Sequence, residues 1–384
     1  MQFEFATAAR IIFGAGKLES IGDIASVMGD RALVARGGPP EAFERLRNLL
    51  GRQGISCLEV KIDGEPTTEM LSEALRVGNK TSVSLVIGIG GGSAIDTAKV
   101  VAALLTNPGD LMDYLEVIGQ GKPLTKPALP LIAIPTTAGT GAEVTRNAVI
   151  GSMAQHVKVS LRSPYLLPRI ALVDPALTID LPPQVTAFTG MDALTQLIES
   201  YTSNNSNPLT DTICEEGLRS IGSSFYRAYD DGKDVHAREE MCIASLFSGL
   251  ALANAKLGAV HGLAGPIGGE VSAHHGAICA CLLPQVMEAN FTALRDRSPD
   301  HPALQRYTQL AKLLTGRQDA CAENGIQWVN EISSHMKIQP LSSFGLSDDN
   351  FPSIMEKAQK ASSMQGNPIT LFEDELRNIL QKAL

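Results

Sequence analysis

The chain has 384 residues, of which 44% are hydrophobic and 19% are charged, and it carries a formal net charge of −9. This length exceeds one ordinary hydrophobic core, and the negative charge excludes the basic face that a nucleic-acid partner requires. The sequence has no run of about 18 apolar residues, so we predict no membrane span. The six cysteines include no CxxC pair, and the N-terminus is unlike a signal peptide. We therefore expect a cytoplasmic protein.

The first half of the chain alternates short β-branched runs with helical segments. Predicted strands cover residues 31–35, 57–62, 83–89 and 131–134, and predicted helices cover residues 41–51 and 94–105. Strands that alternate with helices are typical of a doubly wound parallel sheet, so we predict a Rossmann-like α/β fold for this half.

The character changes after ALVDPALTIDLPP (171–183), where only helical periodicity remains. The predicted helices are 187–201, 211–228, 238–255, 302–314, 321–336, 348–360 and 371–384. We therefore predict an α/β domain over residues 1–180 and an all-α domain over residues 181–384. Ligands of such proteins usually bind in the cleft between the halves.

Two loops rich in small residues follow predicted strands. In IGIGGGSAIDTAK (87–99), Gly90, Gly91 and Gly92 let the backbone approach a phosphate, and Ser93 is expected to be the helix N-cap. The second loop is PTTAGTGAEVT (135–145). Two such loops at one sheet edge predict a cradle for a pyrophosphate and a ribose, although one glycine turn alone is often only a packing turn.

Metal ligands are suggested by residues in the second half. Asp192 and Gln196 are four residues apart and share a helix face that is otherwise small or apolar. A buried carboxylate is costly unless a cation compensates it. His261 and His275, on either side of a glycine-rich link, are candidates to complete a site for Fe²⁺ or Zn²⁺. From spacing alone, a histidine beside glycines is more often a satisfied core residue than a metal ligand.

Six motifs, in this order, resemble the iron-containing (group III) alcohol dehydrogenase family. They are FGAG (13–16), GGGSAIDTAK (90–99), PTTAGTGAEVT (135–145), ALVDP (171–175), DALTQLIES (192–200) and VHGLAGPIGG…HHGAICACLLP (260–284). The resemblance covers nearly the whole chain. It implies an N-terminal NAD(P) domain, a C-terminal helical metal domain, hydride transfer to or from a small alcohol, aldehyde or keto acid, and a homodimer or larger assembly.

The resemblance also implies roles for individual residues. Asp192, His261 and His275 match three of the four metal ligands of the family. The implied cofactor contacts are Gly90, Gly91, Gly92, Ser93 and Asp96 in the first loop, Thr136, Thr137 and Thr140 in the second, and Lys158.

Two positions depart from the family pattern. Gln196 stands where the fourth ligand is typically histidine, and an amide oxygen is a weaker donor. The metal is therefore expected to be held by three protein groups, to be preferentially zinc, or to be absent. Gly265 stands where many members have a second histidine near the nicotinamide. The absence of this second histidine implies a roomier pocket and proton transfer through water, substrate or His274. Both changes resemble maleylacetate reductases, for which Arg146 would be a candidate anion anchor.

The cofactor preference is predicted from the end of the first predicted strand. NAD-selective members usually have an acidic residue there, whereas this chain has Arg36, Gly37 and Gly38. No carboxylate repels a 2′-phosphate, and Arg36 could pair with it, so NADP is favoured over NAD. Two further alternatives are a lyase on the related dehydroquinate synthase scaffold and a binding protein without catalysis. The motifs match the dehydrogenases better than either.

Overall fold

The computed structural model describes residues 2–152 and 157–384. Their backbone contacts form two compact units. The sheet unit comprises Thr7–Thr137 and Gly141–Asp180. The helical unit comprises Leu181–Leu384 together with Ala138–Thr140 and the N-terminal segment that ends at Ala6.

The sheet unit contains eight described strands and five described helices. The strands are β1 (Arg10–Phe13), β2 (Arg31–Gly37), β3 (Ser56–Ile62), β4 (Leu85–Gly90), β5 (Leu131–Pro135), β6 (Asn147–Ser152), β7 (Val157–Arg162) and β8 (Ile170–Val173). The helices are α1 (Ile21–Ser26), α2 (Pro40–Arg52), α3 (Thr68–Asn79), α4 (Gly92–Leu104) and α5 (Leu111–Tyr114).

Six strands form one parallel sheet in the order β1-β8-β5-β4-β2-β3, while β6 and β7 form a separate antiparallel pair. Alternate residues of β2 face opposite ways. Leu33 packs in a cluster with α3 and α4, whereas Val34 packs in a cluster with α1 and α2. Helices therefore cover both faces, and the predicted doubly wound parallel sheet is confirmed.

The strand order brings three loop starts to one edge of this sheet. β4 lies between β2 and β5, with Arg36 paired to Ile89 and Gly90 paired to Pro135. The chain runs from β2 to β3 on one side and then returns to β4 on the other. This change of direction is the switch point at which ligands of open α/β sheets bind, outside the carboxyl ends of the strands.

The helical unit contains nine described α-helices. They are α6 (Pro183–Thr202), α7 (Pro208–Asp230), α8 (Val235–Asn254), α9 (Ala259–Glu270), α10 (His275–Arg297), α11 (Ala303–Thr315), α12 (Ala322–His335), α13 (Phe351–Lys360) and α14 (Glu373–Ala383).

Helix α6 is the centre of this unit. It begins at Pro183, with Pro182 as N-cap, where a fixed φ suits the first helical turn. Every residue from Thr189 to Thr202 is buried, because α7, α8, α10 and α11 all pack around the helix. Polar side chains on α6 are therefore held inside the protein.

Helix α10 is long and apolar enough to cross a membrane by length and composition, and α8 with α9 passes the same test as a pair bent by 95°. No such helix was predicted from the sequence, which lacks an uninterrupted run of about 18 apolar residues. However, 67% of the most apolar stretch of α10 is buried inside the protein. This helix therefore packs as a core element of the helical unit.

Candidate active site

One stripe of α6 carries three buried polar side chains. Asp192, Gln196 and Glu199 are spaced at i, i+4 and i+7 and are each no more than 5% exposed. This spacing places them on one helix face. A buried carboxylate is costly unless it has a partner, so the contacts of these three side chains indicate which groups or ions they bind.

Glu199 binds the start of α9. Its Oε1 accepts a hydrogen bond from the backbone N–H of Val260 at 2.6 Å, and its Oε2 lies 2.7 Å from His261 Nδ1. Gly258 is the N-cap of α9, and a Cβ there would lie 2.9 Å from Glu199 Oε1. The missing side chain lets the carboxylate reach the positive end of the helix.

The contact with Glu199 also fixes the tautomer of His261. A carboxylate can only accept, so Nδ1 carries the proton and the lone pair of a neutral ring lies on Nε2. Nε2 is 3.5 Å from Asp192 Oδ1. Both atoms are buried and have no hydrogen-bond partner within the described residues. A carboxylate behind an imidazole is the arrangement that orients metal-binding histidines.

The start of α10 contributes a second imidazole and a thiol. His275 is the first residue of the helix, and its Nε2 lies 3.9 Å from Asp192 Oδ1. One turn later, Cys279 Sγ lies 3.7 Å from the same Nε2. One ligand atom from each of Asp192, His261, His275 and Cys279 lies within 4.8 Å of the others. This donor set fits a divalent cation.

Electrostatics in this cluster favour a positive charge. Burial lowers the pKa of His261, but the carboxylates of Asp192 and Glu199 outweigh it and raise the pKa to about 9. Burial favours the protonated form of Asp192, yet the imidazoles of His261 and His275 hold its pKa below the usual range. Burial and the nearby carboxylates raise the pKa of the Cys279 thiol. Without an ion, the two carboxylates therefore hold a proton on His261. A divalent cation that displaced this proton from Nε2 would be stabilised by the same carboxylates.

The remaining candidates of the helical unit lie beside this cluster. Gln196 Oε1 accepts a hydrogen bond from Ser248 Oγ at 2.8 Å. His274 is the exposed N-cap of α10, and its ring stacks on Phe188 with centroids 5.6 Å apart. A Cβ at Gly265 would meet no atom within 4 Å. Space for a larger side chain therefore exists at this position.

The glycine loop of the sheet unit lies between β4 and α4. Gly90 has φ +147°, and a Cβ there would lie 2.9 Å from Gly37 Cα, so β2 and β4 end in mutual contact. A Cβ at Gly91 would touch Thr137 Oγ1 at 3.4 Å. The backbone thus forms a cradle that side chains would fill, at the N-terminus of α4.

The expectation that Ser93 is the N-cap of the following helix is wrong. Gly91 is the N-cap of α4, and Ser93 is the second residue of the helix. The positive φ of Gly90 lets the helix begin two residues earlier than predicted, with the Ala94 N–H bonded to the Gly91 carbonyl at 3.1 Å. The free N–H groups at the start of the helix belong to Gly92 and Ser93.

Hydrogen bonds or ion pairs within the protein already involve three other predicted cofactor residues, Arg36, Asp96 and Lys158. Arg36 Nε lies 2.6 Å from Glu59 Oε1, and its Nη1 donates to the Gly38 carbonyl. Asp96 accepts from the Val149 N–H at 2.9 Å and pairs with the buried Lys99.

Lys158 pairs with Glu65 at 2.7 Å. Thr136 donates its backbone N–H to the Gly90 carbonyl, which fixes the second loop against the first. Thr140, at the end of the same loop, belongs to the helical unit.

Sequence reasoning missed Glu199 and Cys279. A signal existed for both. Glu199 lies seven residues after Asp192, and Cys279 lies four residues after His275, which are the spacings of neighbours on one helix face. Cys279 was overlooked because no helix was predicted between residues 255 and 302, whereas α10 begins at His275.

Comparison with known proteins agrees with these features. A family model described as "Iron-containing alcohol dehydrogenase" matches residues 8–175, and one described as "Fe-containing alcohol dehydrogenase family, C-terminal" matches residues 186–384. "Alcohol dehydrogenase 4" of Saccharomyces cerevisiae is 35% identical over 381 residues, which cover 97% of this chain and 96% of that protein.

Solved structures agree as well. A crystal structure of 1,3-propanediol oxidoreductase has a TM-score of 0.92, with 30% identity and 100% of both chains covered. The sulfoacetaldehyde reductase of Bifidobacterium kashiwanohense, in complex with NAD⁺, has a TM-score of 0.87, with 25% identity and 100% of this chain and 99% of that chain covered. The chain belongs to the iron-containing alcohol dehydrogenase family.

Proposed function

We propose that this protein is an NAD(P)-dependent dehydrogenase that interconverts a small alcohol and its aldehyde or ketone with the help of a divalent cation, Fe²⁺ or Zn²⁺. The observation that carries the proposal is the pair of orphaned buried acceptors, Asp192 Oδ1 and His261 Nε2, which lie 3.5 Å apart. The names of the relatives support small alcohols as the substrate class.

The side chains of the cluster divide the work. Asp192 supplies negative charge, and Glu199 holds the His261 ring with Nε2 toward Asp192. The side chain of His275 is 34% exposed, so it forms the side of the cluster that substrate can reach. A divalent ion bound by these groups supplies a Lewis acid that polarises a carbonyl oxygen and stabilises an alkoxide. The exposed ring of His274 is our candidate for exchanging the alcohol proton with solvent.

The sheet unit would hold the dinucleotide. Gly90, Gly91 and Gly92 offer backbone N–H groups and no side chains, so they suit the pyrophosphate. We assign the ribose and nicotinamide contacts to Thr136, Thr137, Thr140 and Lys158. We further propose that the predicted domain 1–180 binds the nucleotide and that the predicted domain 181–384 binds the metal and the substrate.

We further propose that NADP(H) is accepted and favoured. The turn after β2 carries Gly37 and Gly38 in place of an acidic residue, so nothing in this turn repels a 2′-phosphate. Arg36 would attract the phosphate through Nη2, because Nε and Nη1 are already bonded to Glu59 and Gly38. The strength of the preference then depends on how readily the pair with Glu59 opens.

The direct test measures oxidation of NADPH and NADH with aldehydes and keto acids, before and after metal loading. His261→Ala should lower kcat by at least about 100-fold, or about 2.7 kcal/mol, while the Kd of the dinucleotide changes little. His335→Ala is the matched control, because His335 pairs with Asp230 on the surface. Equal small losses in kcat and in dinucleotide affinity would contradict the assignment.

Assembly and location complete the proposal. We propose a homodimer or larger homo-oligomer in the cytoplasm. Light scattering coupled to size exclusion, at micromolar concentration, would give a mass of at least twice the 40.7 kDa of one chain. A mass of one chain would refute it.

A further inference from the structure

We propose that Cys279 is a ligand of the metal ion, in the place that Gln196 was expected to fill, and that the resulting donor set selects Zn²⁺ over Fe²⁺. This inference rests on the proposed metal-assisted function and adds the fourth donor to it. The set becomes one carboxylate oxygen, two imidazole nitrogens and one thiolate sulfur, from Asp192, His261, His275 and Cys279.

Three of the distances between donors are close to the edges of a tetrahedron. Bonds of about 2.0 Å to nitrogen or oxygen and about 2.3 Å to sulfur give edges of roughly 3.3–3.5 Å. The measured separations are 3.5 Å for His261 Nε2 to Asp192 Oδ1 and 3.7 Å for Cys279 Sγ to His275 Nε2. The third, His275 Nε2 to Asp192 Oδ1, is 3.9 Å. The remaining separations are all within 4.8 Å, so one ion can be reached by all four donors after side-chain adjustment.

The position of Cys279 is also fixed before any ion binds. It lies one turn after His275 on α10, so both side chains extend from the same helix face. Cys279 is fully buried, and the orphaned acceptors on Asp192 and His261 lie next to it. A thiol that merely filled space would not account for two unpaired acceptors at its side.

Gln196 is a poorer candidate for the fourth position. Its Oε1 is already hydrogen-bonded to Ser248 on α8 at 2.8 Å. An amide oxygen is neutral, whereas a thiolate adds a negative charge to that of Asp192. The two charges together balance a divalent cation in a buried site. Thiolate and imidazole donors suit Zn²⁺, while Fe²⁺ sites in enzymes combine imidazole with carboxylate.

The experiment titrates the full-length protein, freed of metal with a chelator, with Co²⁺ alone under anaerobic conditions. Cobalt bound to a thiolate absorbs in the near ultraviolet through sulfur-to-metal charge transfer. We expect one equivalent of Co²⁺ to produce this band in the wild type. Cys279→Ala should abolish the band and weaken Co²⁺ binding by at least tenfold. Mutating a residue that only hydrogen-bonds to a metal ligand already lowers metal affinity by about 10–100-fold.

Cys281→Ala is the matched control. Cys281 lies on the same helix, is buried, and donates to the Gln339 carbonyl at 3.0 Å instead of facing the cluster. This variant and Gln196→Ala should both keep the band. A measurement that needs no variant is X-ray absorption of the zinc-loaded wild type, in which we expect one sulfur at about 2.3 Å.

Each outcome decides the matter. Stoichiometric Co²⁺ binding without the band, a band that survives in Cys279→Ala, or a zinc shell of only nitrogen and oxygen would overturn the role of Cys279 and leave the metal-assisted function standing. Binding that is weakened by Gln196→Ala and not by Cys279→Ala would do the same. Failure of the wild type to bind any ion stoichiometrically would overturn both the role and the metal-assisted function. Tighter binding of Fe²⁺ than of Zn²⁺ would refute the selectivity.

Discussion

Glu199 lies 2.7 Å from Nδ1 of His261 and accepts its proton, and the opposite nitrogen of that ring faces Asp192. One carboxylate thus sets the orientation and the tautomer of a ring that belongs to another helix. We expect Glu199→Gln to weaken metal binding by about 10–100-fold, because the amide keeps the shape and loses the charge. Competition with a chromogenic chelator measures the change.

The control for Glu199→Gln is Glu215→Gln. Glu215 accepts from the Tyr201 hydroxyl and is partly buried in the same unit, but it has no part in the cluster. An equal loss of metal affinity in both variants would show that the effect is a general loss of charge.

Gly258 leaves room for Glu199 at the start of α9. In Gly258→Ala, the new Cβ would lie 2.8 Å from Asn367 Oδ1 and 2.9 Å from Glu199 Oε1. We expect a loss of about 1–3 kcal/mol in the free energy of unfolding, as for other overpacked sites, together with weaker metal binding. Gly265→Ala in the same helix meets no atom within 4 Å and should lose neither. Similar behaviour of the two variants would contradict the crowding argument.

The Arg36–Glu59 pair restrains the cofactor preference. In Glu59→Gln, the guanidinium of Arg36 loses its ion pair and becomes available to a 2′-phosphate. We expect the ratio of kcat/KM for NADPH over NADH to rise by up to about tenfold, equivalent to 1.4 kcal/mol. Arg36→Ala should lower the ratio, and Glu44→Gln, an exposed partner of Arg47 on α2, should leave it unchanged. A ratio that falls in Glu59→Gln would refute this role.

Glu143 makes stability depend on pH. Burial raises the pKa of Glu143 to about 7, although its own backbone N–H and Lys99 oppose the shift. Between the ordinary value near 4.5 and about 7, the folded protein binds more protons than the unfolded chain, so stability falls as pH rises through this window. We expect Glu143→Gln to be more stable than the wild type at pH 8, by up to about 3 kcal/mol.

The test for Glu143→Gln is urea unfolding at several pH values. The advantage of the variant should shrink as pH falls below about 7 and should be smallest below about pH 4.5, where Glu143 is protonated in both the folded and the unfolded wild type. An advantage that is independent of pH would mean that packing, and not charge, separates the two proteins.

Strand and helix positions in the sheet unit were predictable because β-branched runs and glycine turns alternate there. β2, for example, was predicted as 31–35 and extends over Arg31–Gly37. The short strands β1 and β8, with four residues each, carry too little pattern to be recognised, and their pairing is a long-range contact. In the helical unit, α6 was predicted as 187–201 from its helical periodicity, and it extends over Pro183–Thr202.

The segments that carry both histidines were the hardest to predict. Glycines at 258, 262, 265, 268 and 269 and a proline at 266 argue against a helix, yet α9 covers Ala259–Glu270. Tertiary packing overrides local propensity there, because residues such as Val260 and Leu263 are fully buried. Asp192, His261 and His275 were identified from motifs, whereas Glu199 and Cys279 depend on how α9 and α10 begin.

All four donor side chains of the cluster come from α6, α9 and α10, within one compact unit. We therefore expect the ion to bind without the nucleotide, so that the two can bind in either order. A cell that is starved of the ion would accumulate protein that retains its dinucleotide cradle and lacks the electrophile. Adding the ion back should then restore the activity of these molecules without new protein synthesis.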